Sequence, residues 1–245
     1  MNTKQIPLLD VRGLSKSYNG VRVVDNLSFS VYPGEVVSLL GSNGAGKTTT
    51  FYMTIGLIKP DGGTVFLNGV DVTREPLHKR ARLGMGYLAQ EPSVFRALTV
   101  EENIVAILET LEISRDEQEW RLEELLLELD LQRHRKKKAS LLSGGERRRL
   151  EITRALVTRP ALLLLDEPFA SIDPIAVHDL QQLIKHLKSK GISVLITDHN
   201  AREIFSIADR NYLIQQGRVL LSGTALELTE NQQARAAYFG ETFKL

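Results

Sequence analysis

An α/β fold around a largely parallel core sheet is predicted by three features of the sequence. An apolar strand from Glu35 to Leu40 runs directly into a glycine-rich loop and a helix from about Lys47. After Pro160, short apolar runs alternate with helical stretches, the rhythm of parallel β-α units. Between these regions, from about residue 91 to 156, leucines recur among charges at helical spacing, as in Glu123 to Leu129. The chain is therefore read as one α/β unit over 1–245 with a helical subdomain inserted at about 91–156.

Each element follows from local chemistry. Leu8 to Val31 reads as two extended segments around an Asn19-Gly20 turn, with alternation in Leu27 to Val31, an antiparallel edge. Pro33-Gly34 turns the chain into the strand that feeds the loop Gly41 to Gly46. Gly62 to Leu67 reads as a strand closed by Asn68-Gly69. A helix is expected over Arg147 to Val157. Strands follow at Ala161 to Leu165, Ile192 to Thr197 and Asn211 to Ile214, with helices at Ile175 to Lys190 and Ala201 to Ala208.

Composition narrows the function classes. Apolar residues at 42% and charged residues at 25% of 245 suit a folded globular chain with a real core, not a disordered or fibrous one. A net charge of +1 supplies no overall field for nucleic acid or an anionic membrane, so any anion site must be local and no nucleic-acid partner is expected. With no cysteine, disulfides and thiolate metal sites are excluded, and a reducing cytosol is expected. Neither a signal peptide nor a run of roughly 20 apolar residues is seen, so membrane association is expected only through partners. The basic run Arg133 to Lys138 lacks interleaved aromatics and is read as a solvated loop.

The chemistry lies in a few motifs. Gly41-Ser42-Asn43-Gly44-Ala45-Gly46-Lys47-Thr48 fits G-x-x-x-x-G-K-[ST] between a strand and a helix, the context that pattern requires. Its glycines let backbone N–H groups turn toward phosphates, the helix N-terminus adds partial positive charge, Lys47 neutralises phosphate, and the Thr48 hydroxyl is the expected Mg²⁺ ligand. Thr49 completes the nucleotide-binding set. Ala161 to Leu165 ends in Asp166-Glu167, an apolar strand closing on two carboxylates: Asp166 for Mg²⁺, Glu167 as general base toward the attacking water.

Those two motifs establish nucleotide chemistry without fixing a family. Leu142-Ser143-Gly144-Gly145-Glu146, at the end of the helical block, closely resembles the signature sequence of ABC-transporter ATPases. The resemblance covers the chain from Leu8 onward and implies a P-loop NTPase of the ABC type: a mixed core sheet with an antiparallel β subdomain and a helical subdomain. It also implies that Ser143, Gly144 and Gly145 meet the ATP of a second copy. Matched position by position, Tyr18 is the expected adenine-stacking aromatic, with Val23 on the same face. Gln90 is the glutamine that reaches Mg²⁺ and the water, and His199 contacts the γ-phosphate. Ser171-Ile172-Asp173 stands at the loop that crosses the dimer interface, departing from the family's commonest wording. The remaining histidines, His78, His134, His178 and His186, are read as surface residues.

Longer stretches are more specific. Leu77 to Glu91, Ser143 to Arg149, Asp166 to Ala170, Ile196 to Glu203 and Tyr238 to Leu245 resemble the ATPases of the lipopolysaccharide-export branch of this family, with departures at Ser42 and Ala89, where proline is usual. That resemblance implies a homodimer using ATP and Mg²⁺, peripheral on the cytoplasmic face of the inner membrane. It implies docking to two membrane-spanning subunits; Phe95 and Arg96, just beyond Gln90, are read as lining the groove that receives a membrane-subunit helix, with a core position for Phe95 as the alternative. The ATPase of a branched-chain amino-acid importer, or a non-transport ABC ATPase of iron–sulfur assembly, carries similar motifs. Tyr238, Phe239 and Phe243 are left between packing on their own domain and crossing the dimer, with the dimer favoured.

Overall fold

The computed structural model describes residues 6–170, 172–240 and 243. Strands β1 (Leu9–Tyr18) and β2 (Val21–Val31) form a hairpin whose turn residues Asn19 and Gly20 both have positive φ, which only a few residue types adopt without strain. After β3 (Val36–Leu40) come α1 (Lys47–Ile55), β4 (Gly62–Leu67), β5 (Val70–Asp71), α2 (Leu77–Arg82) and β6 (Met85–Leu88). The helical stretch holds α3 (Val100–Leu108), α4 (Arg115–Glu128) and α5 (Gly144–Leu156). The chain continues through β7 (Leu162–Asp166), α6 (Pro174–Ser189), β8 (Ser193–Thr197), α7 (Ala201–Phe205), β9 (Arg210–Gln215), β10 (Arg218–Gly223) and α8 (Ala225–Glu230).

Six strands form the central sheet in the order β10-β9-β3-β8-β7-β6, parallel throughout except for the β9–β10 hairpin; β2-β1-β4-β5 form a separate antiparallel sheet. The apolar runs at β3 and β7 are continuous because both sheet faces are covered. Val37, Leu39, Leu162 and Leu164 point into a core shared with α1 and the antiparallel sheet. Their neighbours Val36, Leu40, Leu163 and Leu165 point into a core shared with α3 to α7. Because strand side chains alternate, one apolar segment serves two cores.

The structure differs from the sequence expectation in several places. Helix α5 starts at Gly144, three residues early, because Ser143 and Glu146 form a capping box: the Ser143 Oγ accepts from Glu146 N, and the Glu146 carboxylate accepts from Ser143 N. The segment 133–138 is a surface loop, with Arg133, Lys136 and Lys138 exposed, but it is held to the helical block. Its backbone pairs with 99–101 through Val100 N to Lys137 O and Glu101 N to Arg135 O, and Arg135 and Lys136 both pair with Glu101. His134 is correspondingly not a surface residue: its side chain is 14% exposed and packs on Glu146. His78 and His178 are exposed, and His186 pairs with Glu128 at 3.0 Å.

Arg80 of α2 is 1% exposed, and its guanidinium donates to four backbone carbonyls, those of Met53 and Thr54 at the end of α1 and of Thr73 and Glu75. A helix C-terminus with orphan carbonyls is thereby capped from a distance. Burial lowers the Arg80 pKa to about 10, with Glu75 and Asp71 opposing. The C-terminal aromatics pack within the chain, against the expected dimer contact: Phe239 and Phe243 stack around Phe205 of α7 at 5.5 and 6.3 Å between ring centroids.

Candidate functional site

The glycine-rich loop sits at the carboxyl edge of the central sheet, between β3 and α1. Helix α1 has no side-chain cap: its N-cap is Gly46 at φ +100°, and a Cβ there would lie 2.6 Å from the Val23 carbonyl. Glycine is thus required both for backbone conformation and for close approach, and Val23 is placed against the loop from outside. Gly217 N donates to Ala45 O, so the β9–β10 turn braces the loop's other side. Lys47 is 6% exposed, and its Nζ donates to the Gly41 and Ser42 carbonyls at 2.7 and 3.0 Å. Burial lowers its pKa, while Glu167 and Asp198 work against that shift. Ser42, Asn43, Gly44 and Thr48 are exposed on the same edge, with Thr49 half-buried.

Two strands away on the sheet, with β8 between, β7 ends at Asp166, which is 1% exposed. Burial is the main cause that pushes its pKa up to about 6, with the Glu167 carboxylate adding to the rise and Tyr52 opposing it. Asp166 Oδ2 is buried without a hydrogen-bond partner, an acceptor aimed into the site that suits a hard cation held jointly with the Thr48 hydroxyl. Glu167 takes φ +43°, a strained backbone for a non-glycine, and its N–H is fixed to Thr197 O at 2.7 Å. That turn delivers the carboxylate to two other expected residues. Gln90 Nε2 donates to Glu167 Oε2 at 3.0 Å, and His199 Nδ1 lies 3.5 Å from the same oxygen.

Residues from three separate loops, 90, 167 and 199, therefore meet at one carboxylate oxygen beside the phosphate loop. Tyr18, 43% exposed at the end of β1, stands under Lys16 and pairs with Val21 in the hairpin that continues to Val23. Ser143, Gly144 and Gly145 start α5 elsewhere; a Cβ on Gly145 would press on Ala176 of α6 at 3.1 Å. Among the described residues no hydrogen bond or ion pair joins them to the phosphate loop. Asp173 caps α6 through Ile175 N and Ala176 N, Ile172 packs on the core, and Ser171 lies outside the described residues.

Two functional positions were not singled out from the sequence. Asp198, fully buried, accepts from Phe169 N and Asn200 N and so ties the loop after Glu167 to the loop bearing His199. Arg148, 8% exposed, donates to Ala89 O and to Glu151 at 2.9 and 3.0 Å, while Glu151 accepts from Ser93 N. Helix α5 is thereby fastened to the segment that carries Gln90. The i, i+3 spacing of Arg148 and Glu151 was visible, but nothing local shows that this charged face is buried.

Residues 24–170 match the family model of ABC transporters. The chain belongs to the ABC transporter ATP-binding family. This ABC ATPase is 52% identical to the lipopolysaccharide export system ATP-binding protein LptB of Acidithiobacillus ferridurans, over 97% of this chain and 99% of that protein. It is 46% identical to LptB of Escherichia coli K12 over the same shares. An uncharacterized ABC transporter ATP-binding protein of Rhizobium meliloti is 54% identical over 97% of this chain and 88% of its own length. The solved ADP conformation of an ATP-binding cassette of an ABC transporter superposes with a TM-score of 0.86 at 27% identity, covering 96% of this chain and all of that one. As an ABC ATPase, the chain binds and hydrolyses ATP; none of its described helices is long and apolar enough to cross a membrane.

Proposed function

We propose that two copies of this ABC ATPase close over two ATP molecules to drive lipopolysaccharide out of the inner membrane toward the outer membrane. The observation that carries the transported class is the 46–52% identity to lipopolysaccharide-export ATPases across essentially the full length of both partners. Two anion-binding helix N-termini in one chain, not bonded to each other, support the pairing of chains. Each nucleotide then lies between the loop Gly41 to Thr49 of one copy and Ser143 to Gly145 of the other.

In that reading, the loop N–H groups and Lys47 hold the phosphates, exchanging Lys47's bonds to loop carbonyls for bonds to phosphate oxygens. Tyr18 and Val23 take the adenine. Thr48, Asp166 and Gln90 would hold Mg²⁺, which would supply positive charge to the phosphates. Glu167 takes the proton of the attacking water as that water's oxygen bonds to the γ-phosphorus and the bond to the bridging oxygen breaks, yielding ADP and phosphate. Gln90 and His199 both address Oε2 of Glu167, which orients the carboxylate and leaves Oε1 to accept the proton. His199 also faces the γ-phosphate.

Coupling to membrane-spanning subunits on the cytoplasmic face is assigned to Phe95 and Arg96. Phe95 is 46% exposed, held under the Arg154 guanidinium at 4.5 Å, and its N–H and carbonyl are fixed by the buried Asn103 side chain. An apolar ring held rigidly at the surface is suited to anchor a partner helix. Co-purification from detergent-solubilised native membranes tests the assignment. Recovery of the two lipopolysaccharide-export membrane subunits is expected; recovery of amino-acid permeases or of soluble proteins alone would overturn it.

A further inference from the structure

The signature end of α5 contains a contradiction in charge. Its N-terminal N–H groups and partial positive charge suit a phosphate, yet its third helical position is a carboxylate, Glu146, one turn from where that phosphate would lie. The capping box holds this carboxylate close, because Glu146 Oε2 accepts from Ser143 N at 2.8 Å. The segment 133–138 answers the charge. Lys137 Nζ donates to the same oxygen at 3.1 Å, and its backbone carbonyl is fixed by Val100 N at 3.0 Å, so the ammonium is anchored from behind. His134 Nε2 lies 3.2 Å from Glu146 Oε1 but also 3.1 Å from Arg133 Nε, so it packs against the carboxylate while Lys137 supplies the compensating charge.

We infer that Lys137 is a positioning residue for the trans nucleotide site: it neutralises Glu146 so that the Ser143–Gly145 end of α5 accepts a triphosphate from a second copy. The inference rests on the two-chain sandwich proposed above. Glu146 shapes the helix start through its bond to Ser143, and Lys137 removes the electrostatic cost of having a carboxylate there. The two residues that follow this segment touch the proposed docking region, since Ser140 N donates to Arg96 O and Ala139 N to Leu98 O. Burial tends to raise the Glu146 pKa, but the Ser143 N–H, Lys137 and His134 together hold it below its ordinary value, in keeping with a carboxylate that stays charged and paired.

The test uses the full chain carrying Glu167→Gln, in which hydrolysis is blocked, and follows ATP-driven pairing by sedimentation velocity. Lys137→Met is expected to weaken pairing about 10-fold, the loss of one charge-assisted bond, while ATP binding to the isolated chain at low concentration is unchanged. Lys137→Arg retains pairing. With Glu146→Gln added, Lys137→Met has no further effect, because no charge remains to be neutralised. Unchanged pairing in Lys137→Met, or an equal loss with and without Glu146→Gln, would overturn the neutralising role; the second result would mean that Lys137 acts only by holding its segment in place. Failure of the Glu167→Gln chain itself to pair with ATP would remove the sandwich and this role with it, while leaving single-chain ATP binding intact.

Discussion

Helices α1 and α5 each present an N-terminus that is proposed to meet phosphate, and they are built in opposite ways. At α1 the N-cap is Gly46, no side chain caps the helix and no acidic residue stands in the first turn. The N–H groups are left for a ligand, and Lys47 brings the positive charge. At α5 the cap is Ser143, the box with Glu146 already occupies two donors, and the positive charge comes from Lys137 on another segment. A bare N-terminus with its own lysine can bind phosphate within one chain. A capped one keeps its shape alone and offers fewer donors, which suits the proposed role of meeting a nucleotide already held by a partner.

The contrast can be broken by substitution. Lys47→Ala should cost the isolated chain about 100-fold in ATP affinity, measured by fluorescent-nucleotide titration, whereas Ser143→Ala should leave that affinity unchanged. Equal losses would mean that both ends act on one nucleotide within a chain. Gly46→Ala should destabilise the fold by about 1–3 kcal/mol in denaturant titration, from strain at φ +100° and contact with the Val23 carbonyl.

Asp166→Asn sharpens the contrast through pH. Because burial raises the Asp166 pKa to about 6, the stability this side chain contributes is full below its unfolded value near 4 and is lost as pH rises through 6. The variant should therefore be more stable than the parent by on the order of 2 kcal/mol at pH 8, the difference closing near pH 4, while ATPase activity is lost. Thermal melts at the two pH values decide it. Ser143→Ala should cost about 1 kcal/mol of stability through the lost cap. Smallest of all, Gly144→Ala should change stability by less than about 0.5 kcal/mol, since a Cβ there meets nothing within 4 Å; an ATPase defect in that variant would then report on pairing alone.

The phosphate loop and the β7 carboxylates were legible in the sequence because their chemistry is local: a strand, a turn and a helix within a dozen residues. Gln90 and His199 could be matched by resemblance, but their convergence on Glu167 Oε2 depends on sheet order, which no local pattern fixes. Strand β10 went unread although its turn, Gln216-Gly217, carries the positive φ pair of a tight hairpin. The early start of α5 was likewise written in Ser143 and Glu146, and was hidden by two glycines that disfavour helix. What the sequence withheld was the partner of each charge. Arg133 to Lys138 reads as a solvated run until backbone pairing with 99–101 brings Glu101 alongside and α5 presents Glu146.

Arg80 sets a different kind of limit on this chain. Its planar fork spans carbonyls on α1 and on the approach to α2, and neither a lysine ammonium nor an uncharged side chain offers five donors in that geometry. The residue bonds to none of the groups proposed to meet ATP, yet substitution would leave buried acceptors at the tail of the helix that begins at Lys47. A scan for intolerant positions should rank Arg80 beside Glu167, the proposed catalytic carboxylate, and in a survey of inactive variants it should be the false positive: an arginine required by architecture, whose loss a stabilising change elsewhere should repair.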